Sequence, residues 1–203
     1  MLRTFLFLCL WLVSLPVLAG NITLLVLGDS LSAGYGMPVE QGWVSLLQER
    51  LAQNGSDYTV INASISGDTT AGALARLEDL LAATTPVIAI MELGANDGLR
   101  GLPLEEMSAN LSAIISRFQS AGTRVLLLPM QLPPNYGHAY NDRFVNVYRD
   151  LAERHGVMLG RFILDHIADQ PELMQSDNIH PVAAAQRQML ENIWPDVAAL
   201  LNP

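Results

Sequence analysis

The sequence predicts an α/β fold, a three-layer domain of flavodoxin-like type with a parallel sheet of about five strands covered by helices on both faces. Three observations carry this expectation. The chain has 203 residues, a length that suits one hydrophobic core. Half of the residues are hydrophobic and 15% are charged, so the core can be large and no stretch has the composition of a disordered segment. Short apolar runs alternate with longer amphipathic patterns, as strands buried on both faces alternate with the helices that cover them.

Taken in order, the first element stands apart from the fold. Met1-Leu2-Arg3 precedes an apolar run at 5–18, shorter than the ~20 residues that span a bilayer, and Val17-Leu18-Ala19 approximates the small-residue site cut in exported proteins. Residues 1–19 are expected to be a signal peptide and 20–203 the domain, with retention of the segment as an N-terminal anchor as the alternative. The only cysteine, Cys9, would leave with it, removing disulfides, cysteine-zinc sites and thiol catalysis from the processed chain. The expected destination is the periplasm or the exterior, with no stable membrane span in the mature chain.

Strands are then expected at 23–27, 58–63, 87–93 and 125–130, with a fifth around 157–162. The intervening helices fall at 39–53, 70–83, 104–121, 141–155 and 182–201, where apolar residues recur at spacings of three and four; Leu111, Ile114, Ile115 and Phe118 form one such stripe. Gly55, Gly122 and Gly156 stand where left-handed C-caps would end three of the helices. No internal repeat or linker interrupts the pattern.

Charge narrows the chemistry. All 11 basic residues are arginine, so no lysine is available for a Schiff base or a phosphate loop. With 20 acidic residues the net charge is −9, which repels a nucleic-acid backbone, so nucleic acid is not an expected partner. In a sheet of this kind ligands sit at the carboxyl ends of the strands. Three strands end in polar clusters there: Gly28-Asp29-Ser30, Ser64-Ile65-Ser66-Gly67-Asp68 and Gly94-Ala95-Asn96-Asp97.

Ser30 at such a rim is either a helix cap or a nucleophile. A serine nucleophile needs a neutral imidazole to take its proton and an acceptor to hold the imidazole tautomer. Asp177-Asn178-Ile179-His180-Pro181 offers both on one loop, although Asp177 and His180 could equally be ordinary loop residues. Pro181 is expected in the first turn of the last helix, which would place His180 just outside the positive end of that helix. Acyl transfer also needs donors for the developing oxyanion. The Gly67 N–H, the Asn96 side-chain amide and the Ser30 N–H are candidates, against plain turn roles for Gly67 and Asn96. Ser32, Ser64 and Ser66 compete as rim hydroxyls but read as turn or cap residues, and His138 and His166 read as surface histidines. Asp29, Asp68 and Asp97 could instead chelate Mg²⁺ for phosphoryl transfer, or each brace a turn.

Taken together, Gly28-Asp29-Ser30-Leu31, Gly67, Gly94-Ala95-Asn96-Asp97 and Asp177-Asn178-Ile179-His180-Pro181 resemble the four ordered blocks of the GDSL, or SGNH, hydrolases. Asn62 to Thr69, Glu92 to Gly101 and Leu132 to Gly137 are similar to the bacterial periplasmic thioesterase I, lysophospholipase and arylesterase branch. The resemblance implies a Ser30, Asp177, His180 triad and an oxyanion hole made by Ser30, Gly67 and Asn96. It also implies a monomeric esterase acting on small acyl esters, thioesters or lysophospholipids without metal or organic cofactor. Two positions depart from the family pattern, Ala95 and Asn178 each standing where glycine is common. If either backbone needs positive φ, Ala95 would be strained and Asn178 would tolerate it better. Loss of turnover in a silent binding or accessory protein is the alternative that Ala95 raises.

Overall fold

The computed structural model describes residues 22–201, so the expected signal peptide and Cys9 lie outside the described residues. Five parallel strands form one sheet: β1 (Ile22–Gly28), β2 (Tyr58–Asn62), β3 (Ile88–Glu92), β4 (Arg124–Leu127) and β5 (Met158–Leu159), in the order β2-β1-β3-β4-β5. Leu24 to Leu27 of β1 and all of β3 are buried, which is why these strands read as unbroken apolar runs. The chain steps from β1 to β2 in one direction and from β2 back over β1 to β3 in the other. Right-handed crossovers therefore put α2 (Trp43–Gln53) on one face and α3 (Thr70–Ala75), α4 (Leu77–Thr84), α6 (Leu104–Ser120) and α7 (His138–His155) on the opposite face. The last helix, α8 (Gln186–Leu201), packs on α2, while α6 packs on α3 and α7. The strand order reverses between β1 and β3, so the crevice expected for a ligand opens beyond Gly28 and Glu92.

The expected elements are present, with five differences. The helix expected at 39–53 is interrupted by Gly42, extended at φ −69°, ψ 151°, which leaves a 3-10 turn at Val39–Gln41 before α2. The helix expected at 70–83 breaks at Arg76, at φ −101°, ψ 0°, whose guanidinium reaches back to Asp68 at 2.9 Å. α7 begins three residues early, at His138, because Asn141 is tied to both the N–H and the carbonyl of Leu132. β4 and β5 are shorter than expected. Beyond β4 the chain leaves the sheet, and Met130 and Leu132 turn into a pocket.

The fifth difference concerns the histidine loop. Pro181 is not in the last helix; it pairs with Met174 in an isolated antiparallel bridge, and α8 starts only at Gln186, after a 3-10 turn at Ala183–Ala185. The Gln175 N–H donates to the His180 carbonyl at 2.7 Å and the Val182 N–H to the Leu173 carbonyl at 2.8 Å. A hairpin-like clamp therefore fixes His180, and the helix dipole, which decays within one turn, does not act on it. Gly55, Gly122 and Gly156 take φ of 68°, 77° and 62°, the left-handed positions expected after helices.

Candidate active site

The turn after β1 becomes a one-turn helix, α1 (Ser30–Ala33). Asp29 caps it, Oδ1 accepting the Leu31 N–H at 3.1 Å, and Gly34 ends it at φ 74°. Ser30 is thus the first residue of a capped turn at the mouth of the crevice. Close approach of the turn to β3 requires glycine at position 28, where a Cβ would lie 2.7 Å from the Ser32 side chain and 2.9 Å from Glu92 Oε2.

The two distant segments meet. Ser30 Oγ lies 2.7 Å from His180 Nε2, and His180 Nδ1 lies 2.7 Å from Asp177 Oδ2. The other Asp177 oxygen accepts the N–H groups of Ile179 at 2.9 Å and His180 at 3.0 Å, closing a tight acid turn on which the imidazole is mounted. Burial pushes the Asp177 carboxyl up. The hydrogen bonds from the His180 ring and from the two N–H groups outweigh it and hold the carboxyl down at about 2. A neutral imidazole with its proton on Nδ1 leaves Nε2 free to accept from Ser30.

Asn96 sits in α5 (Ala95–Leu99), a single turn directly after β3. Its Nδ2 donates to Asp29 Oδ2 at 3.0 Å. Gly94 carries the left-handed conformation here, at φ 109°, and a Cβ on it would lie 2.4 Å from Tyr148 Oη. Ala95 is an ordinary helical residue, so this departure from the family pattern introduces no strain. The other departure does fall on a left-handed position: Asn178 has φ 54°, a conformation asparagine adopts more readily than most residues.

Gly67 has φ 79° in the turn after β2. Its carbonyl is held by Arg100 Nη2 at 2.7 Å, tying this turn to the segment that carries Asn96, while its N–H has no protein acceptor among the described residues. Ser30, Asn96 and His180 line one pocket of about 720 Å³. Gly67 does not line it. The walls are chiefly apolar, with Leu99, Met130, Leu132, Phe162, Leu164 and Ile179 on them.

The competing residues are placed elsewhere. Ser32 is buried against Glu92 at 2.7 Å, and His138 and His166 are exposed. Asp68 is paired with Arg76, Asp97 binds the Thr70 N–H at 2.9 Å and hydroxyl at 2.6 Å, and Asp29 is turned to Leu31 and Asn96. Among the described residues these three aspartates form no metal-binding group with one another. Ser112 Oγ also faces a histidine, His155 Nε2 at 2.8 Å, but no carboxylate lies within ion-pair distance of that ring among the described residues.

Three residues escaped the sequence reading. Tyr35 packs its ring on His180, with centroids 4.3 Å apart. Gln175 Nε2 donates to the carbonyls of Tyr35 at 2.9 Å and Pro181 at 3.0 Å, joining the serine and histidine loops. Neither leaves a mark in a single sequence. Glu92 does: it is an acid at the end of an otherwise apolar buried strand.

With the geometry in place, the similarity to known proteins is informative. The model of the GDSL-like Lipase/Acylhydrolase family matches residues 26–188. Esterase TesA of Pseudomonas aeruginosa is 49% identical over 193 residues, covering 95% of this chain and 96% of that protein. The arylesterase of Vibrio mimicus is 51% identical, over 83% of this chain and 84% of its own. Thioesterase 1/protease 1/lysophospholipase L1 of Escherichia coli K12 is 42% identical, over 89% and 85%. Among solved structures, the psychrotrophic esterase EstA from Pseudoalteromonas sp., inhibited by monoethylphosphonate, superposes with a TM-score of 0.86 at 41% identity, covering 91% of this chain and all of that one. A family model that matches most of the chain, and relatives of more than 40% identity that cover most of it, place this protein among the GDSL-like lipases and acylhydrolases.

Proposed function

We propose that the chain is a serine esterase and thioesterase in which Ser30 is the nucleophile, His180 the general base and acid, and Asp177 the group that orients the imidazole and stabilises its cation. The observation that carries this is the unbroken chain of two 2.7 Å contacts from Ser30 through His180 to Asp177. Ser30 Oγ attacks the acyl carbonyl as His180 Nε2 takes its proton. The tetrahedral oxyanion faces the Ser30 N–H, the Gly67 N–H and the Asn96 amide, each well-aimed donor contributing roughly 3–4 kcal/mol. Collapse expels the alcohol or thiol, which receives the proton from His180, and leaves an acyl ester on Ser30. Water, deprotonated by His180, then attacks this ester and releases the carboxylic acid.

The apolar pocket supports acyl chains as the bound portion, and the relatives named esterase, arylesterase and thioesterase 1/protease 1/lysophospholipase L1 support esters, thioesters and lysophospholipids as substrates. The enzyme is taken to act as a monomer. Among the described residues no helix is long and apolar enough to cross a membrane. The Met1–Ala19 pattern supports export after cleavage of residues 1–19, leaving 20–203 as the working domain. The test is a hydrolysis panel of short and long acyl esters, acyl thioesters and lysophospholipids, with Ser30→Ala as the blank. Turnover above the blank on at least one class is expected; equal rates for both proteins on every class would refute the reading.

A further inference from the structure

The two halves of the site come from loops 150 residues apart, and something must hold those loops in step. Tyr35 belongs to the serine turn, its N–H donating to the Ser30 carbonyl at 3.1 Å, and its ring rests on the His180 ring. Gln175 opens the histidine loop. Its own N–H donates to the His180 carbonyl at 2.7 Å and its carbonyl accepts the Asn178 N–H at 2.9 Å. From that fixed place its side chain crosses to the other loop. Nε2 donates to the Tyr35 carbonyl at 2.9 Å and to the Pro181 carbonyl at 3.0 Å, so both amide hydrogens are used on main-chain oxygens flanking the reacting pair. The crossing needs glycine at position 36, at φ 76°, where a Cβ would lie 2.5 Å from Gln175 Oε1. Gln175 is half-buried and does not line the pocket.

We propose that Gln175 is a positioning residue whose amide fastens the serine turn to the histidine loop and so sets the reach between Ser30 Oγ and His180 Nε2. The inference rests on the esterase reading. Within each loop the reacting group is already held, since Asp29 caps the turn of Ser30 and Asp177 mounts the imidazole. Neither contact fixes one loop against the other. The hydrogen bond from Ser30 to His180 does so only at rest, because it is given up when Oγ bonds to the acyl group and the proton moves to the imidazole. The Gln175 links do not involve the reacting atoms and persist through both steps. They keep His180 in place while it hands the proton to the leaving group and later takes one from water. The Tyr35 ring adds packing across the same joint, and Gln175 adds direction. A primary amide suits the position because one nitrogen serves two carbonyls, whereas a carboxylate would set an acceptor against both.

Met at position 175 fills the same volume without a donor. Gln175→Met is expected to lower kcat about 10- to 100-fold with KM within about twofold, because both chemical steps pass a proton between the loops while the pocket is untouched. Gln175→Glu is expected to lose at least as much. Because the effect runs through His180, adding Gln175→Met to His180→Ala is expected to lower the residual rate by less than about twofold further. Near-normal kcat in a folded Met or Glu variant, a loss carried by KM, or additivity with His180→Ala would overturn the proposal. Should the variants not fold, the wild-type protein decides: the Gln175 side-chain amide, followed by NMR, is expected to exchange its hydrogens with solvent at least about tenfold more slowly than a free glutamine amide. Exchange as fast as the free amide overturns the proposal. Fluorophosphonate labelling of Ser30 in the wild-type protein separates the two readings. Without labelling the esterase reading falls, and the amide exchange alone then judges whether Gln175 joins the loops.

Discussion

Replacing Asp177 by Asn tests the acid turn with one atom changed. Asp177 Oδ1 accepts two backbone N–H groups, from Ile179 and His180, and only an oxygen can do so. In the variant the amide oxygen must stay there, and the NH₂ group takes the place of Oδ2 opposite His180 Nδ1. The ring then accepts at Nδ1 and carries its proton on Nε2, facing Ser30 Oγ, so the base is occupied before reaction begins. Two losses combine. Attraction between the carboxylate and the imidazolium is about 4 kcal/mol for unit charges 4 Å apart at an effective dielectric of 20. The Asp177 side chain is 38% exposed, so solvent screening cuts this to about 2 kcal/mol. Restoring the working tautomer sets a ring N–H against an amide N–H and costs about 2–3 kcal/mol more. Together these lower kcat about 10³- to 10⁴-fold with KM little changed. The assay is steady-state hydrolysis of a chromogenic ester, with circular dichroism to verify folding. A folded Asp177→Asn protein that keeps more than about a tenth of wild-type kcat would refute the tautomer argument.

Four further outcomes are expected. Ser30→Ala should fold with a melting temperature close to wild type and lose ester hydrolysis by several orders of magnitude, measured against buffer. Asn96→Ala should lower kcat about 10²- to 10³-fold while leaving KM within a few fold, as removal of one oxyanion donor does; a pure KM effect in steady-state kinetics would contradict this. Gly94→Ala should destabilise the fold by about 3 kcal/mol or more in urea titration, because it puts a Cβ 2.4 Å from Tyr148 Oη at φ 109°. Acidity should act in two windows. Asp177, held at about 2 against an ordinary 3.8, contributes stability that is present above about pH 4 and lost as pH falls toward 2, worth about 1 kcal/mol after allowance for its exposure. Asp29, raised to about 6 by burial, binds its proton more tightly when folded, so its contribution falls as pH rises from about 4 to 6. Thermal melts should show this second slope diminished in Asp29→Asn.

The layered fold was legible because its signal is repetitive. Four apolar runs and five amphipathic stretches each bury a face, and Leu111, Ile114, Ile115 and Phe118 are fully buried along α6 as their spacing requires. The short turns of α1 and α5 are too brief for any periodicity, and they are where Ser30 and Asn96 are mounted. The chemistry at strand ends could be read from residue type, whereas the clamp on His180 could not. It comes from a bridge between Met174 and Pro181 and from Gln175, contacts that depend on how a loop folds back on itself. The proline suggested a helix start by local rule, and the tertiary pairing overrode it. The Tyr35 contact with His180 belongs to the same class, since the two residues are 145 positions apart and nothing local links them.

The convergence of Ser30 and His180 can be tested most directly by treating the native protein with a fluorophosphonate and mapping the adduct by peptide mass spectrometry. One adduct is expected, on the peptide containing Ser30, absent after unfolding and absent in Ser30→Ala. An unlabelled folded protein, or an adduct on Ser112 beside His155, would contradict it.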